Sequence, residues 1–212
     1  MILPMKTPRL LLPLLAFALG LAGVARAAAA TATTDPAPAL LTTINGVIDL
    51  AAGQPPAAIA ARLPQIRDKM AETFAIDAIV QRAFGRNWTK LTPAQQTEAV
   101  DLLGRLIIRT YVTPLSTGER PKVVVISSKE IGPERREIVS TVTQDGKTAN
   151  VVYRLAPLGG GWKVYEVLAE NISVVGNYRQ QFDTHFEKKS AEELLKTLRD
   201  KLAAPEVVET AK

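Results

Sequence analysis

Cysteine is absent from the 212 residues, and histidine occurs once, at His185. A disulfide scaffold, a cysteine-ligated metal centre and a thiol enzyme are thereby excluded. Any histidine-dependent chemistry has to run through residue 185. What the chain has in quantity is apolar volume: 47% of its residues are hydrophobic and 22% are charged, with both signs present. That is too apolar for disorder and long enough for one core.

The formal charge of +5 lies largely at the front. Lys6 and Arg9 precede an apolar run from Leu10 to Ala25, and Ala25-Arg26-Ala27 has the small-x-small form of a cleavage site. Residues 1–27 therefore read as a signal peptide. Without Lys6, Arg9 and Arg26 the chain keeps 23 basic against 21 acidic side chains. A nearly neutral mature protein gives no electrostatic reason to bind nucleic acid. No later stretch reaches the ~18 consecutive apolar residues of a membrane span. The expectation is a soluble, exported protein in a periplasm-like compartment.

Residues 28–38 are small and rich in Ala, Thr and Pro, a mobile lead-in, and one folded domain is expected over 39–204 with a frayed tail at 205–212. A helical pattern from Leu40 to Gly53 is broken by Pro55-Pro56. A second runs over 57–74, with Pro64 expected to kink or divide it. Ile76, Ile79, Val80, Ala83 and Phe84 form a full apolar helix face that stops at Gly85. Thr92-Pro93-Ala94-Gln95 is a capping box, and the helix it opens carries Val100, Leu103, Leu106, Ile107 and Tyr111 on one side and Asp101, Arg105 and Arg109 on the other.

After Pro121 the period changes from 3.6 to 2. Four strands are expected, at 122–130, 135–144, 147–156 and 162–169, with hairpin turns at Asp145-Gly146 and Gly159-Gly160-Gly161. Links this short force antiparallel neighbours. Ala149, Val151, Tyr153 and Leu155 should share one face, with Asn150, Val152 and Arg154 on the other. A helix over 173–187 follows, then one opened by the box Ser190-Ala191-Glu192-Glu193. The predicted fold class is α+β: a four-stranded antiparallel sheet with one face covered by N- and C-terminal helices.

Catalytic patterns find little support. His185 lacks the nucleophile motif of a hydrolase and sits near a helix end. Metal ligation is poorly served without cysteine or a second histidine. Glu166 and Glu170, four apart in extended chain, would stand roughly 13 Å from each other, wider than the roughly 5–9.5 Å of glycosidase pairs; cross-strand or capping roles suit them better. Lys188, Lys189, Lys196, Arg199 and Lys201 are interspersed with Glu187, Glu192, Glu193 and Asp200, which favours a solvated helix face over docking to an acidic partner or a lipid headgroup. No catalytic residue and no cofactor is expected.

What remains is an apolar surface. A sheet face bearing Val151, Tyr153, Tyr165 and Val167 lies opposite helices bearing Phe74, Phe84, Leu103, Ile107 and Tyr111. Pattern alone leaves open whether these nine side chains make a packed core or a lipid pocket, and packed core is the default.

Two blocks carry a family resemblance. The first is Phe84-Gly85-Arg86-Asn87-Trp88, then Thr92-Pro93-Ala94-Gln95 and Arg109-Thr110-Tyr111. The second is Trp162-Lys163-Val164-Tyr165-Glu166-Val167, then Glu170-Asn171-Ile172-Ser173 and Asn177-Tyr178-Arg179-Gln180-Gln181-Phe182. With the order of helices and strands, the chain over roughly 40–203 resembles the MlaC family, also called the toluene-tolerance family. The resemblance implies a periplasmic phospholipid-binding protein, monomeric and without catalysis. It would shuttle lipid between an inner-membrane ABC transporter with an MCE component and an outer-membrane lipoprotein–porin complex. Acyl chains would enter an apolar cavity between sheet and helices, which assigns the nine residues above to a lipid pocket.

The chain departs from the family pattern in places. Glu166 stands where an aspartate is usual, and Asn171 where glycine is, asparagine being the next best residue for a left-handed position. Ala99 and Leu103 stand where aromatic residues are common, and Gly104 weakens the same helix. Smaller side chains there are expected to enlarge the cavity, which would suit a bulky polycyclic cargo, as in a hopanoid-associated, HpnM-like member. The alternative from another class is a non-transporting periplasmic interaction protein with a fully packed core.

Overall fold

Asp145, Gly146, Gly159 and Gly160 all take positive φ, from 50° to 87°, and the turns they make set the sheet. In the computed structural model, which describes residues 34–204, the strands β1 (Lys122–Gly132), β2 (Arg135–Gln144), β3 (Lys147–Leu158) and β4 (Gly161–Ala169) form an antiparallel meander in chain order. The expected signal peptide, residues 28–33 of the lead-in and the tail at 205–212 lie outside the described residues.

A fifth strand, β5 (Ile172–Ser173), pairs with the end of β4. Four strands were expected, and two residues are too few to show a period in sequence. The turn before β5 holds Glu170 and Asn171 at φ 48° and 64°, so asparagine does occupy a left-handed position there.

The pleat sends Ala149, Val151 and Tyr153 to one face, as alternation requires. It is interrupted once on β4. Arg154 pairs with Glu166 and Leu155 with Val164, so Tyr165 is the extra residue of a β-bulge. Val164 and Val167 therefore point to the same side although they are three residues apart, and Tyr165 leaves the alternation.

The helices are α1 (Ala37–Ala51), α2 (Pro56–Ala71), α3 (Ile76–Phe84), α4 (Pro93–Val112), α5 (Val174–Phe186) and α6 (Ala191–Ala203). Short 3₁₀ turns follow α3 and α4. α1 begins earlier than the lead-in reading allowed, because the Asp35 carboxylate accepts the Ala37 N–H at 3.1 Å and satisfies one otherwise orphaned donor. α2 runs through Pro64 undivided. Pro64 and Ala60, whose carbonyl loses its partner, are both on the solvent side, where water replaces the missing bond.

α2 ends at Ala71, short of the expected 74, because the next residues pair with the sheet. The Val164 N–H donates to the Thr73 carbonyl at 2.7 Å, and the Ala75 N–H to the Val164 carbonyl at 2.9 Å. Both expected capping boxes are formed, at Thr92 with Gln95 and at Ser190 with Glu193.

The helical core lies between α3, α4, α5 and α6. Phe84, Leu103, Ile108, Leu195 and Leu198 are buried there, each contributing roughly 1.5–3 kcal/mol over exposure. α4 is buried on more than one side, which a single apolar stripe does not anticipate. Arg105 pairs with Asp101 at 3.3 Å. Arg109 instead reaches α6, where it donates to the Leu202 carbonyl at 2.9 Å and supplies positive charge at that helix's C-terminus.

Candidate functional site: an apolar cavity between sheet and helices

Where one face of the sheet meets α1, α3 and α4, side chains fail to fill the space, leaving a cavity of about 300 Å³. Its floor is Val123, Val142, Ala149, Val151, Tyr153 and Val167 from four strands. Its roof includes Ile44, Val47 and Ile48 of α1, and Ile107, Tyr111 and Val112 of α4. Phe74, held at the sheet edge by the Val164 hydrogen bonds, closes one side. Among the described residues, every one that lines it is aliphatic or aromatic, or is methionine; the only polar side-chain atoms among these are two tyrosine hydroxyls.

Those tyrosines differ. Tyr153 is 6% exposed, and burial pushes its phenol up to about 12, against a smaller opposing effect from a hydrogen bond with Ser140. Tyr111 is 41% exposed and stands at the rim; partial burial raises its phenol too.

Of the nine residues assigned to a lipid pocket from sequence, Phe74, Ile107, Tyr111, Val151, Tyr153 and Val167 line this cavity. Phe84, Leu103 and Tyr165 lie away from it. Phe84 packs against Phe182, with ring centroids 4.6 Å apart, and against Trp88 at 5.6 Å. Leu103 is fully buried in the helical core. The bulge removes Tyr165, whose ring instead lies 4.7 Å under the Arg82 guanidinium.

The expected widening at Ala99 and Leu103 is also corrected. Both are completely buried and neither borders the cavity, so their small size is taken up by neighbouring helices. Gly104 has a packing role: a Cβ there would stand 3.1 Å from Cγ2 of Ile76 on α3.

The α1 contribution was missed. Its spacing of Ile44, Val47 and Ile48 announces an apolar helix face, but nothing local says that this face meets the sheet.

The polar residues singled out from sequence have structural work. Glu166 Oε1 accepts the Val167 N–H at 2.9 Å, and Oε2 accepts the Ser173 hydroxyl at 3.0 Å. Ser173 in turn accepts the Gly176 N–H at 2.7 Å, so together they cap α5. The Glu170 carboxylate accepts the Asn150 N–H across the strands. His185 Nε2 lies 3.0 Å from the Ser190 carbonyl, at the joint between α5 and α6. Arg199 pairs with Glu98 and Glu192, and Lys196 with Asp200. Among the described residues there is no group of three or more acidic or histidine side chains placed to hold a metal.

Apart from Tyr111 and Val167, which line the cavity, the two blocks that carry the family resemblance lie away from it and meet each other. Asn87 donates to Asp183 at 2.6 Å and Arg179 Nε to the Arg82 carbonyl at 2.9 Å, joining the end of α3 to α5. Gly85 takes φ 53° where Arg179 passes close. These motif residues brace helices.

No curated protein matches the chain. Among solved structures, it is similar to a phospholipid-binding protein from Ralstonia solanacearum, solved in complex with a phospholipid. The TM-score is 0.71 and the identity 24%, over 80% of this chain and 98% of that one. The model of the MlaC protein family matches residues 42–200, spanning all five strands and α2 to α5. The chain belongs to the MlaC family.

Proposed function

We propose that this protein is a periplasmic phospholipid carrier that takes acyl chains into the cavity non-covalently, with the headgroup left outside. The observation that carries this reading is a lining that, among the described residues, has no charged group and no amide side chain. Beyond the two tyrosine hydroxyls, such a surface offers a polar ligand nothing. To a hydrocarbon chain it offers roughly 0.8 kcal/mol per buried CH₂. Family membership and the phospholipid complex of the Ralstonia solanacearum protein support the same cargo class.

The family resemblance and the export signal read in the sequence support the rest of the reading. Residues 1–27 direct export. The carrier exchanges lipid with an inner-membrane ABC transporter bearing an MCE component and with an outer-membrane lipoprotein–porin complex. It acts by binding and release, without catalysis. Phospholipid is preferred over a hopanoid because Ala99 and Leu103, the reason to expect a wider pocket, do not border the cavity.

Lipid extraction and native mass spectrometry of the purified mature protein test this reading. The expected result is a co-purified phospholipid, or its uptake from vesicles by delipidated protein. A protein that carries no lipid and takes up none is a non-transporting interaction protein instead.

A further inference from the structure

The volume of the cavity sets a problem for a two-chain cargo. A dry cavity of ~150 Å³ takes one benzene ring, so the 300 Å³ here holds about a dozen carbons. One acyl chain, spanning about half of the ~30 Å hydrocarbon core of a bilayer, already fills it. A second chain requires a wall to move.

The walls are unequally tied. The sheet is held by continuous ladders from β1 to β4, and Phe74 by the two hydrogen bonds through Val164. α4 is packed between α3 and α6 and anchored by Arg109. Between α1 and β1 the ties are few. Among the described residues β1 is an edge strand that pairs with β2 alone, and no backbone hydrogen bond joins it to α1.

Two polar latches span this boundary: one from Asp35, just before α1, to Ser128 of β1 and Arg136 of β2, the other from Asp49 of α1 to Arg120, two residues before β1. At one end the Asp35 carboxylate accepts from the Ser128 hydroxyl at 2.7 Å and from Arg136 at 3.1 Å. At the other, Asp49 accepts from Arg120 at 2.5 Å. The carboxylates are half-exposed or more, so each latch holds weakly. Otherwise the contact is apolar packing, which slides without breaking hydrogen bonds. Ile44, Val47 and Ile48 on one side and Val123 on the other face the cavity directly.

Resting on the carrier reading above, we propose that the seam between α1 and β1 is a gate that decides how many acyl chains enter: closed, it admits one, and parted, it admits two. The latches set how readily it parts. Single-chain lipids bind without disturbing it, and diacyl lipids pay for opening it.

Because the chain has no cysteine, D35C with S128C introduces the only thiols, and a short thiol-to-thiol crosslinker bridges the seam. The probes are palmitoyl lysophosphatidylcholine and vesicles of dipalmitoyl phosphatidylcholine, which share a headgroup. The uncrosslinked double variant takes up both. After crosslinking, lysolipid binding stays within about twofold while diacyl uptake falls by about tenfold or more. Retained lysolipid binding also shows that the crosslinked protein is folded. Separately, Arg120→Ala loosens the second latch and speeds diacyl uptake, leaving lysolipid binding unchanged.

Equal diacyl uptake before and after crosslinking overturns the gate. So does equal loss of both lipids, which would make the seam an entrance for any chain. If the uncrosslinked protein binds neither probe, the carrier reading falls and the gate with it.

Discussion

Phe74 and Tyr153 meet edge to face, their ring centroids 6.2 Å apart and their planes at 83°, and both rings border the cavity. The contact joins the segment after α2 to β3. It contributes about 0.5–1.5 kcal/mol beyond the area it buries.

Position on α4 separates cavity from core, and two charge insertions expose the difference. Ile107 lines the cavity and is half-buried, whereas Leu103 one turn earlier is fully enclosed. Ile107→Glu is expected to keep the fold and lower phospholipid uptake, because its carboxylate can reach the open side. Leu103→Glu is expected to unfold the protein, since a buried unpaired charge costs several kcal/mol. Circular dichroism and vesicle-to-protein transfer, measured on both, check this; equal loss of structure would place Ile107 in the core.

Tyr153 makes the protein sensitive to alkali. Its phenol is held up at about 12 by burial, against an ordinary value of 10.0. Below pH 10 it is neutral in both folded and unfolded chains, and its contribution to stability is fully present. Between 10 and 12 the unfolded chain ionises first, so stability is lost as pH rises, on the order of 2 kcal/mol over the window. Tyr153→Phe is expected to flatten that limb in urea titrations at several pH values. Phenolate absorbance should show one tyrosine fewer titrating near 12.

Glu166 is a cap built from a strand. Glu166→Ala leaves the Val167 N–H and the Ser173 hydroxyl without their partner, and should cost about 1–3 kcal/mol. Glu166→Asp, which keeps the charge on a shorter arm, should cost less. Denaturant midpoints of the two variants test the order. Lipid uptake by folded protein should be unchanged in both, because Glu166 does not line the cavity.

Asp35 gives the opposite pH dependence. Desolvation raises its pKa, but the hydrogen bonds from Ser128 and Ala37, with the Arg136 guanidinium, outweigh it and hold it below the ordinary carboxylate value. Its contribution is therefore present above the unfolded-state pKa and lost as pH falls through the folded one. Asp35→Asn should reduce the steepness of acid destabilisation below about pH 4. An unchanged acid limb would mean that this latch is not made in solution.

Much of this architecture is legible locally. Asp145-Gly146 turns, Thr92 and Ser190 cap, and the alternation through Ala149, Val151 and Tyr153 chooses a face, because each depends on residues within one turn or one strand. The same local logic fails at Tyr165. Alternation pairs it with Val167, but the bulge that displaces it comes from register against β3. It fails again at Phe84 and Leu103, whose apolar character is unmistakable but whose neighbours are other helices.

By itself, then, the sequence determined that this chain would fold into helices and an antiparallel meander, with no equipment for thiol chemistry and abundant apolar volume. Those outcomes rest on composition, period and short-range capping. Only the tertiary structure decided that the volume is shared between a solid core around Phe84 and a cavity beneath α1. A cavity is the space left where side chains from Ile44, Tyr111, Tyr153 and Val167, far apart in the chain, do not meet. Its existence depends on distances between elements, which no local pattern encodes.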